Sequence, residues 1–294
     1  MSGMFQGCGK LKNLDVSCFE TSQVTNMSGM FQGCSNLEKL DLSKFDTSQI
    51  TDMSFMFMSC DNLMELNVSG LDTSRVTDMT FMFGYCRNLE NLDVSGFDTS
   101  KVTSMQRMFD SCESLSKIDV GGFNVSQVSD ISGMFQFCDS MIGLDVTNWD
   151  VSKVTTMNGL FGGCTNLKEF DISQWNTSNV TDMSSMFFGC DQIENINFMG
   201  DLNLSSVTRM DSMFSECDGL KSIEALSVLD TANVYSVHNL FYECASLEYV
   251  NLDGLNTSNI TNMYGMFTRC DSLEMIDMSG LDLSNLEKRL CFLL

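Results

Sequence analysis

The sequence predicts an α/β solenoid, in which parallel strands stack in about 11 coils of 26–27 residues and each coil has a short helical segment. Three observations predict it. The stretch MSGMFQGC at residues 1–8 returns unchanged at 27–34. A mark of Met or Leu, Phe, two further residues and Cys recurs along the chain. Each unit between two marks carries the same alternation of apolar and polar residues.

The spacing of the mark is nearly constant. Successive cysteines of the mark are 26 residues apart seven times, and then 27, 27 and 26 residues apart. A fixed period in this range is typical of solenoids, because each unit buries its apolar face only by stacking on its neighbours. The cysteines are Cys8, Cys34, Cys60, Cys86, Cys112, Cys138, Cys164, Cys190, Cys217, Cys244 and Cys270.

One unit divides into three parts. Residues 63–68 alternate apolar and polar, which predicts a strand with one buried face. Residues 71–74, LDTS, predict a turn in which Asp72 accepts a backbone N–H two residues on. Residues 76–79 predict a second short strand.

A short helix is predicted from Met-Phe to near the Cys, because residues that cap helices precede it. Glycines just before Cys fit a helix end. The capping position holds Asn26, Asp52, Asp78, Ser104, Asp130, Thr156, Asp182, Ser236 and Asn262, with Arg209 as the exception, and the glycines are Gly7, Gly33, Gly163 and Gly189.

The net charge of the chain limits the classes of partner that it could bind. The chain has 39 acidic and 16 basic residues, for a net charge of −23. Such a surface repels nucleic-acid phosphates and anionic lipids, so we expect a protein or glycan partner and no nucleic acid. The sequence contains no run of about 18 apolar residues, so it predicts no membrane span. We expect neither a cofactor nor a metal ion.

The repeat LxxLDVSxFDTSxVTDMSxMFxGCxxL resembles the 26-residue tandem repeat of bacterial surface proteins and lipoproteins described as BspA-like leucine-rich repeats, a group that includes mycoplasma and Gram-positive proteins. The resemblance covers residues 1 to about 284. It implies a leucine-rich-repeat-like solenoid at the cell surface or secreted, associated with adhesion, and no catalytic residues. The chain shows no signal peptide, lipobox or anchor, and its unpaired cysteines would also fit the reducing cytoplasm.

The domain organisation follows the repeat. Residues 1–284 are expected to form a single solenoid that starts within a coil, as a fragment of a longer array would, and 285–294 a C-terminal cap or an apolar tail. Uncapped ends would allow end-to-end association.

The repeated cysteines and the repeated acidic residues each form a column along the solenoid. Each column could either bind metal ions or other cations, or serve only to stabilise the fold. The cysteines show no C-x-x-C pair, and parallel side chains suit disulfides poorly, so buried free thiols are the preferred interpretation. The acidic column would bind cations or accept backbone hydrogen bonds, and we prefer the second. It comprises Asp15, Asp41, Asn67, Asp93, Asp119, Asp145, Asp171, Asn197, Asn251 and Asp277.

The aromatic residues form a predicted core and a candidate patch. The Phe of each mark predicts a core stack. Trp149 and Trp175 take a position that holds Phe45 in another coil, and they suit either a wider core or sugar stacking. Two coils carry one extra residue each, within 197–202 and 223–229, which predicts bulges. The candidate recognition patch near these bulges and the two indoles comprises Trp149, Trp175, Tyr235, His238, Tyr242 and Tyr249.

Catalysis is not expected. The single histidine, His238, would have to supply the base for any serine or cysteine nucleophile, and no nucleotide-binding or metalloprotease motif occurs. The sequence therefore favours a non-catalytic interaction scaffold for adhesion, with a column of variable turn residues as a further contact surface. A structural stalk is the alternative, and a carbohydrate-active enzyme using carboxylates on a solenoid face is a remote one. The column is Gln23, Gln49, Arg75, Lys101, Gln127, Lys153 and Asn179.

Overall fold

Residues one period apart lie directly over one another in the computed structural model, which describes residues 1–195, 202–223, 231–253, 255–282 and 284–286. The predicted solenoid of parallel strands is therefore confirmed. The proposed bulges at 197–202 and 223–229 fall almost wholly outside these ranges, as do Asn197 and most of the predicted terminal segment.

Short parallel strands form the first ladder of the solenoid. Successive residues of a strand point alternately inward and outward, so that Leu40 is buried while Lys39 and Asp41 are exposed. The register pairs equivalent residues, as Leu40 with Leu66. The strands are β1 (Lys39–Asp41), β2 (Glu65–Asn67), β3 (Gly143–Leu144), β4 (Glu169–Phe170), β5 (Ser222–Ile223), β6 (Tyr249–Asn251) and β7 (Met275–Asp277), in sheets β1–β2, β3–β4 and β5–β6–β7.

The predicted second strand is reduced to one bridging residue in each coil. Isolated parallel bridges connect the same position from coil to coil, beginning with Asn26 to Asp52 and Asp52 to Asp78, and ending with Ser236 to Asn262. This second ladder runs beside the segment that carries Met-Phe and Cys.

The predicted helix is wrong: no described residue lies in a helix. Each coil instead contains two left-handed residues four positions apart, such as Gly29 at φ 60° and Gly33 at φ 71°. An α-helix requires every residue to keep φ near −60°. The glycines expected to end a helix are thus needed for turns, and we call residues 27–34 and their equivalents the turn segment.

Hydrogen bonding explains why the turn segment is not helical. Within it, N–H groups alternate between two acceptors: Met30 donates to the Met27 carbonyl at 3.1 Å, whereas Phe31 donates to the Met56 carbonyl of the next coil at 2.9 Å. A helix would consume all of these donors within one coil. Asn26, expected as a helix cap, instead accepts the Ser28 N–H at 2.8 Å in an Asx turn.

The core is a stack of phenylalanines, as predicted. The rings of Phe83 and Phe109 are 5.5 Å apart at an interplanar angle of 2°, and both are fully buried. Burial of each ring stabilises the fold by about 1.5–3 kcal/mol relative to exposure. Methionines such as Met105 and Met108 are equally buried and fill the space beside the rings.

Buried threonines connect the coils at the corner after each strand. Thr73 is 1% exposed, and its Oγ1 donates to the Asp98 carbonyl of the next coil at 3.1 Å. Thr47 and Thr99 make the same bond, at 2.9 and 3.1 Å. Polar groups inside the coil are therefore paired along the stack rather than with water.

The left-handed turn positions give a first test. Gly189→Ala should destabilise the protein by about 1–2 kcal/mol, since Gly189 has φ 63° while its added Cβ would meet nothing closer than 3.7 Å. Gly96→Ala is the matched control, because Gly96 has an ordinary φ and open space around its Cβ. Urea unfolding followed by circular dichroism measures both. Equal stability of the two variants would contradict the left-handed assignment.

Candidate functional site

The outward side of the strand ladder carries a groove. Hollows of about 790, 470, 790 and 360 Å³ follow one another along it. Successive hollows share lining residues: Asn91 joins the first two, Lys117 the next two, and Phe170 the last two. They form a row of shallow, open hollows, which we call the strand-face groove, from Asn13 to Asn195.

The groove has an apolar lining and charged sides. Met64 and Ile142 are 48% and 43% exposed, which is high for apolar side chains. Ile118 and Phe170 are half-buried beside them. Gly143 lacks a side chain where other coils carry one, and Glu169 fills that space, since its Cβ would lie 2.9 Å from a Cβ added at Gly143.

Carboxylates line one side of the groove, in the acidic column predicted from sequence. The preferred interpretation of this column, an Asx ladder, is confirmed: Asp93 accepts the Ser95 N–H at 3.0 Å and Asp145 accepts the Thr147 N–H at 3.2 Å. The side-chain hydrogen bonds from Ser95 and Thr147 are the main reason that the pKa values of Asp93 and Asp145 lie below the ordinary range. These carboxylates therefore carry full charge at neutral pH.

The two tryptophans of the candidate patch lie in the core. Trp149 and Trp175 are 2% and 3% exposed, and their rings stack at 6.2 Å and 1°. Their indole N–H groups donate to the carbonyls of Val120 and Val146, at 3.1 and 3.0 Å. Neither ring presents a face to solvent, so the structure favours a wider core over sugar stacking at these residues.

The other candidate residues lie on different sides of the coil. Tyr235, 46% exposed, directly precedes the bridge at Ser236, whereas His238 and Tyr242 belong to the turn segment. Tyr249 begins β6 and faces outward from the strand ladder. Sequence reasoning missed Tyr264, which is 51% exposed and stacks on the His238 ring at 5.5 Å.

A second surface feature that the sequence did not predict lies on the turn segments. Phe55, Phe81 and Tyr85 have φ values of 59°, 52° and 61°, where equivalent positions often hold glycine. Their rings stack in sequence, at 5.7 Å and 6.3 Å. The guanidinium of Arg107 lies 5.6 Å from the Phe81 ring and that of Arg87 lies 5.3 Å from the Tyr85 ring. Bulky residues rarely adopt the left-handed conformation, and the 26-residue period of the sequence does not indicate which positions adopt it.

The variable turn residues form an exposed column in which side chains of neighbouring coils make hydrogen bonds to one another. Arg75 donates to Gln49 Oε1 at 2.8 Å, and Lys153 donates to Gln127 Oε1 at 2.7 Å. Such exposed contacts add little stability, so these side chains are free to rearrange.

From Cys34 to Cys270 the cysteine ladder consists of buried free thiols, which confirms the preferred interpretation for these cysteines, whereas Cys8 of the same column is exposed. Each buried ladder thiol donates to the Phe carbonyl one coil back, as Cys60 to Phe31 at 3.2 Å and Cys164 to Phe135 at 3.0 Å. Cys8 and Cys18 are exposed. Across the described ranges, no three His, Cys, Asp or Glu side chains converge on a metal-sized site.

The comparisons identify the family. The model of the protein family described as "Mycoplasma protein of unknown function, DUF285" matches residues 1–69, 56–143, 133–225 and 195–290. The chain therefore belongs to this family. The match agrees with the mycoplasma part of the sequence resemblance. A search of the curated proteins finds no match.

Three solved structures are similar at a distance. A leucine-rich cell surface protein from Faecalibacterium prausnitzii shares 17% identity over 89% of this chain and 78% of its own, with a TM-score of 0.44. A leucine-rich repeat protein from Eubacterium ventriosum shares 15% over 90% and 85%, at 0.41. An internalin from Listeria monocytogenes shares 12% over 95% and 77%, at 0.29. At these scores the likeness carries no functional information. Within the described ranges, the chain has no apolar helix of the length that crossing a bilayer requires.

Thiol reactivity tests the ladder. At pH 8 a thiol reagent should modify Cys8 and Cys18 rapidly, and the buried ladder thiols, Cys34 to Cys270, only after unfolding. The reason is that burial raises the pKa of thiols such as Cys164, to about 12, and hides the sulfur. The double variant Cys8→Ser, Cys18→Ser should lose two rapidly reacting thiols. Rapid labelling of the buried ladder positions in the folded protein, located by mass spectrometry, would contradict the burial.

The same thiols predict instability in alkali. Burial raises the pKa of Cys112 and Cys217 from 9.0 to about 12, so unfolding releases protons between these values. Because the protonated thiol is favoured in the folded state, stability is constant below pH 8 and falls above pH 9, by about 1.4 kcal/mol per pH unit for each thiol. Urea unfolding at pH 7.5, 9 and 10 measures the slope. The slope for Cys112→Ala should be shallower, and an unchanged slope would contradict the assignment.

Proposed function

We propose that the protein is a non-catalytic binding scaffold that holds a protein partner along the strand-face groove. The observation that carries the proposal is the extension of the groove over eight coils, with Met64 and Ile142 exposed in it. Grooves with exposed apolar residues and polar rims are the surfaces that proteins use for partners.

Comparison of the coils within the chain supports the same surface. The position of Leu40 in β1 stays apolar from coil to coil, whereas the outward position beside it changes in size and charge. A spacer gains nothing from such variety, while a binding surface needs different groups along its length. The outward position holds Asn13, Lys39, Glu65, Asn91, Lys117, Gly143, Glu169, Asn195, Ser222, Tyr249 and Met275.

The biological setting we propose is adhesion at the cell surface. The support is the resemblance of the repeat to bacterial surface proteins. Two residues of the predicted recognition patch are kept as second candidate contacts, because the tryptophans are buried: Tyr235, and His238, which stacks on the additional residue Tyr264.

Selection from a random 12-residue peptide library tests the scaffold. We expect peptides to be selected, and expect Met64→Ser, Ile142→Ser to weaken their binding at least tenfold, because it removes the two exposed apolar contacts. The matched control, Tyr235→Ser, Tyr264→Ser, removes two side chains of similar exposure from another face and should change binding less than twofold.

The outcomes separate the alternatives. If the selected peptides lose affinity only for the tyrosine variant, the binding site includes Tyr235 or Tyr264, and the proposal that the groove binds the partner is wrong. Failure to select any peptide, with both variants folded by circular dichroism, would favour a structural stalk.

A further inference from the structure

We propose that the strand-face groove binds an extended cationic peptide segment, with lysine or arginine side chains lying over its apolar floor and reaching the carboxylate column. This inference rests on the proposed function and names the chemistry of its partner.

The first step is the shape of the groove. It runs across the strands, along the stacking direction, over eight coils. At about 4.8 Å between neighbouring strands it is about 34 Å long. An extended chain of about 10–12 residues covers that length, at about 3.3 Å per residue. A globular ligand would occupy only part of it.

The second step is the charge along the groove. Asp93, Asp119, Asp145 and Asp171 follow one another in four consecutive coils, and all four line the groove. Their hydrogen bonds come from the neighbouring turn, with Asp119 accepting the Gly121 N–H at 3.2 Å and Asp171 accepting the Ser173 N–H at 2.9 Å. Like charges at this spacing repel one another, and a cation between them relieves the repulsion.

Basic residues in the groove do not cancel this column. Lys39 pairs with Glu65 near the first hollow. Lys117 lies two positions before Asp119, and both line the second hollow. Counted over the lining of all four hollows, nine carboxylates face three lysines: Asp15, Asp41, Glu65, Asp93, Asp119, Asp145, Glu169, Asp171 and Glu194 against Lys39, Lys117 and Lys168.

The third step is the apolar floor, which separates a peptide from a simple ion. Ile118, Ile142 and Leu144 line the same hollow as Asp145, and Ile118 also lines the neighbouring hollow that contains Asp119. Lysine and arginine bury their methylene stems on apolar surface while the charged head stays at the rim. A metal ion would instead need converging ligands, and no such group occurs in the described part of the chain.

The test uses a synthetic probe, the peptide (Lys-Ala)6, with (Gln-Ala)6 and (Glu-Ala)6 as controls. Fluorescence anisotropy at 0.15 M salt measures binding to the full chain. We expect (Lys-Ala)6 to bind at least about tenfold more tightly than (Gln-Ala)6, and (Glu-Ala)6 not to bind. Equal affinity for the lysine and glutamine peptides would overturn the cationic partner.

A matched pair of variants distinguishes the groove from the overall negative charge. The groove variant is Asp119→Asn, Asp145→Asn, Asp171→Asn, and the control is Asp46→Asn, Asp72→Asn, Asp98→Asn. Both remove three charges from consecutive coils and both keep the Asx turn, since Asn67 and Asn251 occupy the first column and Asn124 and Asn176 the second.

We expect the groove variant to bind (Lys-Ala)6 at least about tenfold more weakly and the control less than twofold. An equal loss in both variants would mean non-specific attraction to an acidic protein and overturn the inference. If library-selected peptides require Met64 and Ile142 but are not basic, the cationic partner is wrong while the scaffold stands. If no selected peptide depends on the groove, both are wrong.

Discussion

The structure depends on the hydrogen bonds that the turn segments make from one coil to the next. Phe57 and Ser59 donate to the carbonyls of Met82 and Gly84, at 2.9 and 2.8 Å, and Met58 between them donates to a carbonyl of its own coil. This alternation requires equivalent residues to lie over one another. The period, the phenylalanine stack and the cysteine ladder are consequences of that alignment, because a shift of one residue would exchange every donor and every inward side chain.

Alignment also decides how polar groups are paired. Buried threonines bond to the next coil, ladder thiols bond to the preceding one, and the Asx carboxylates bond to their own turns. Few polar atoms are left over: among the buried side-chain atoms of the described residues, only Ser184 Oγ and Asn239 Oδ1 have no hydrogen-bond partner. The consequence is columns of like charge on the surface, whose repulsion the core must offset.

The surface of the solenoid varies where the repetition is relaxed. The inward positions repeat because every coil must fill the same space, and close packing tolerates little change in volume. The outward strand positions carry no such constraint, and Lys117, Gly143 and Glu169 differ from one coil to the next. The groove therefore combines a varied lining with an invariant frame, which is the basis of the scaffold function that we propose.

The sequence by itself determined the solenoid, its period, the inward phenylalanines and the buried thiols, because these depend only on which residues recur. It did not determine the turn segment: Asn26 and Asp78 suit helix caps and Asx turns equally, and Gly33 suits both a helix end and a left-handed turn. Bonding between coils decided in favour of turns. Tertiary structure also decided that Trp149 is core and that separate hollows lie in one row, because both depend on what the neighbouring coil places beside each side chain.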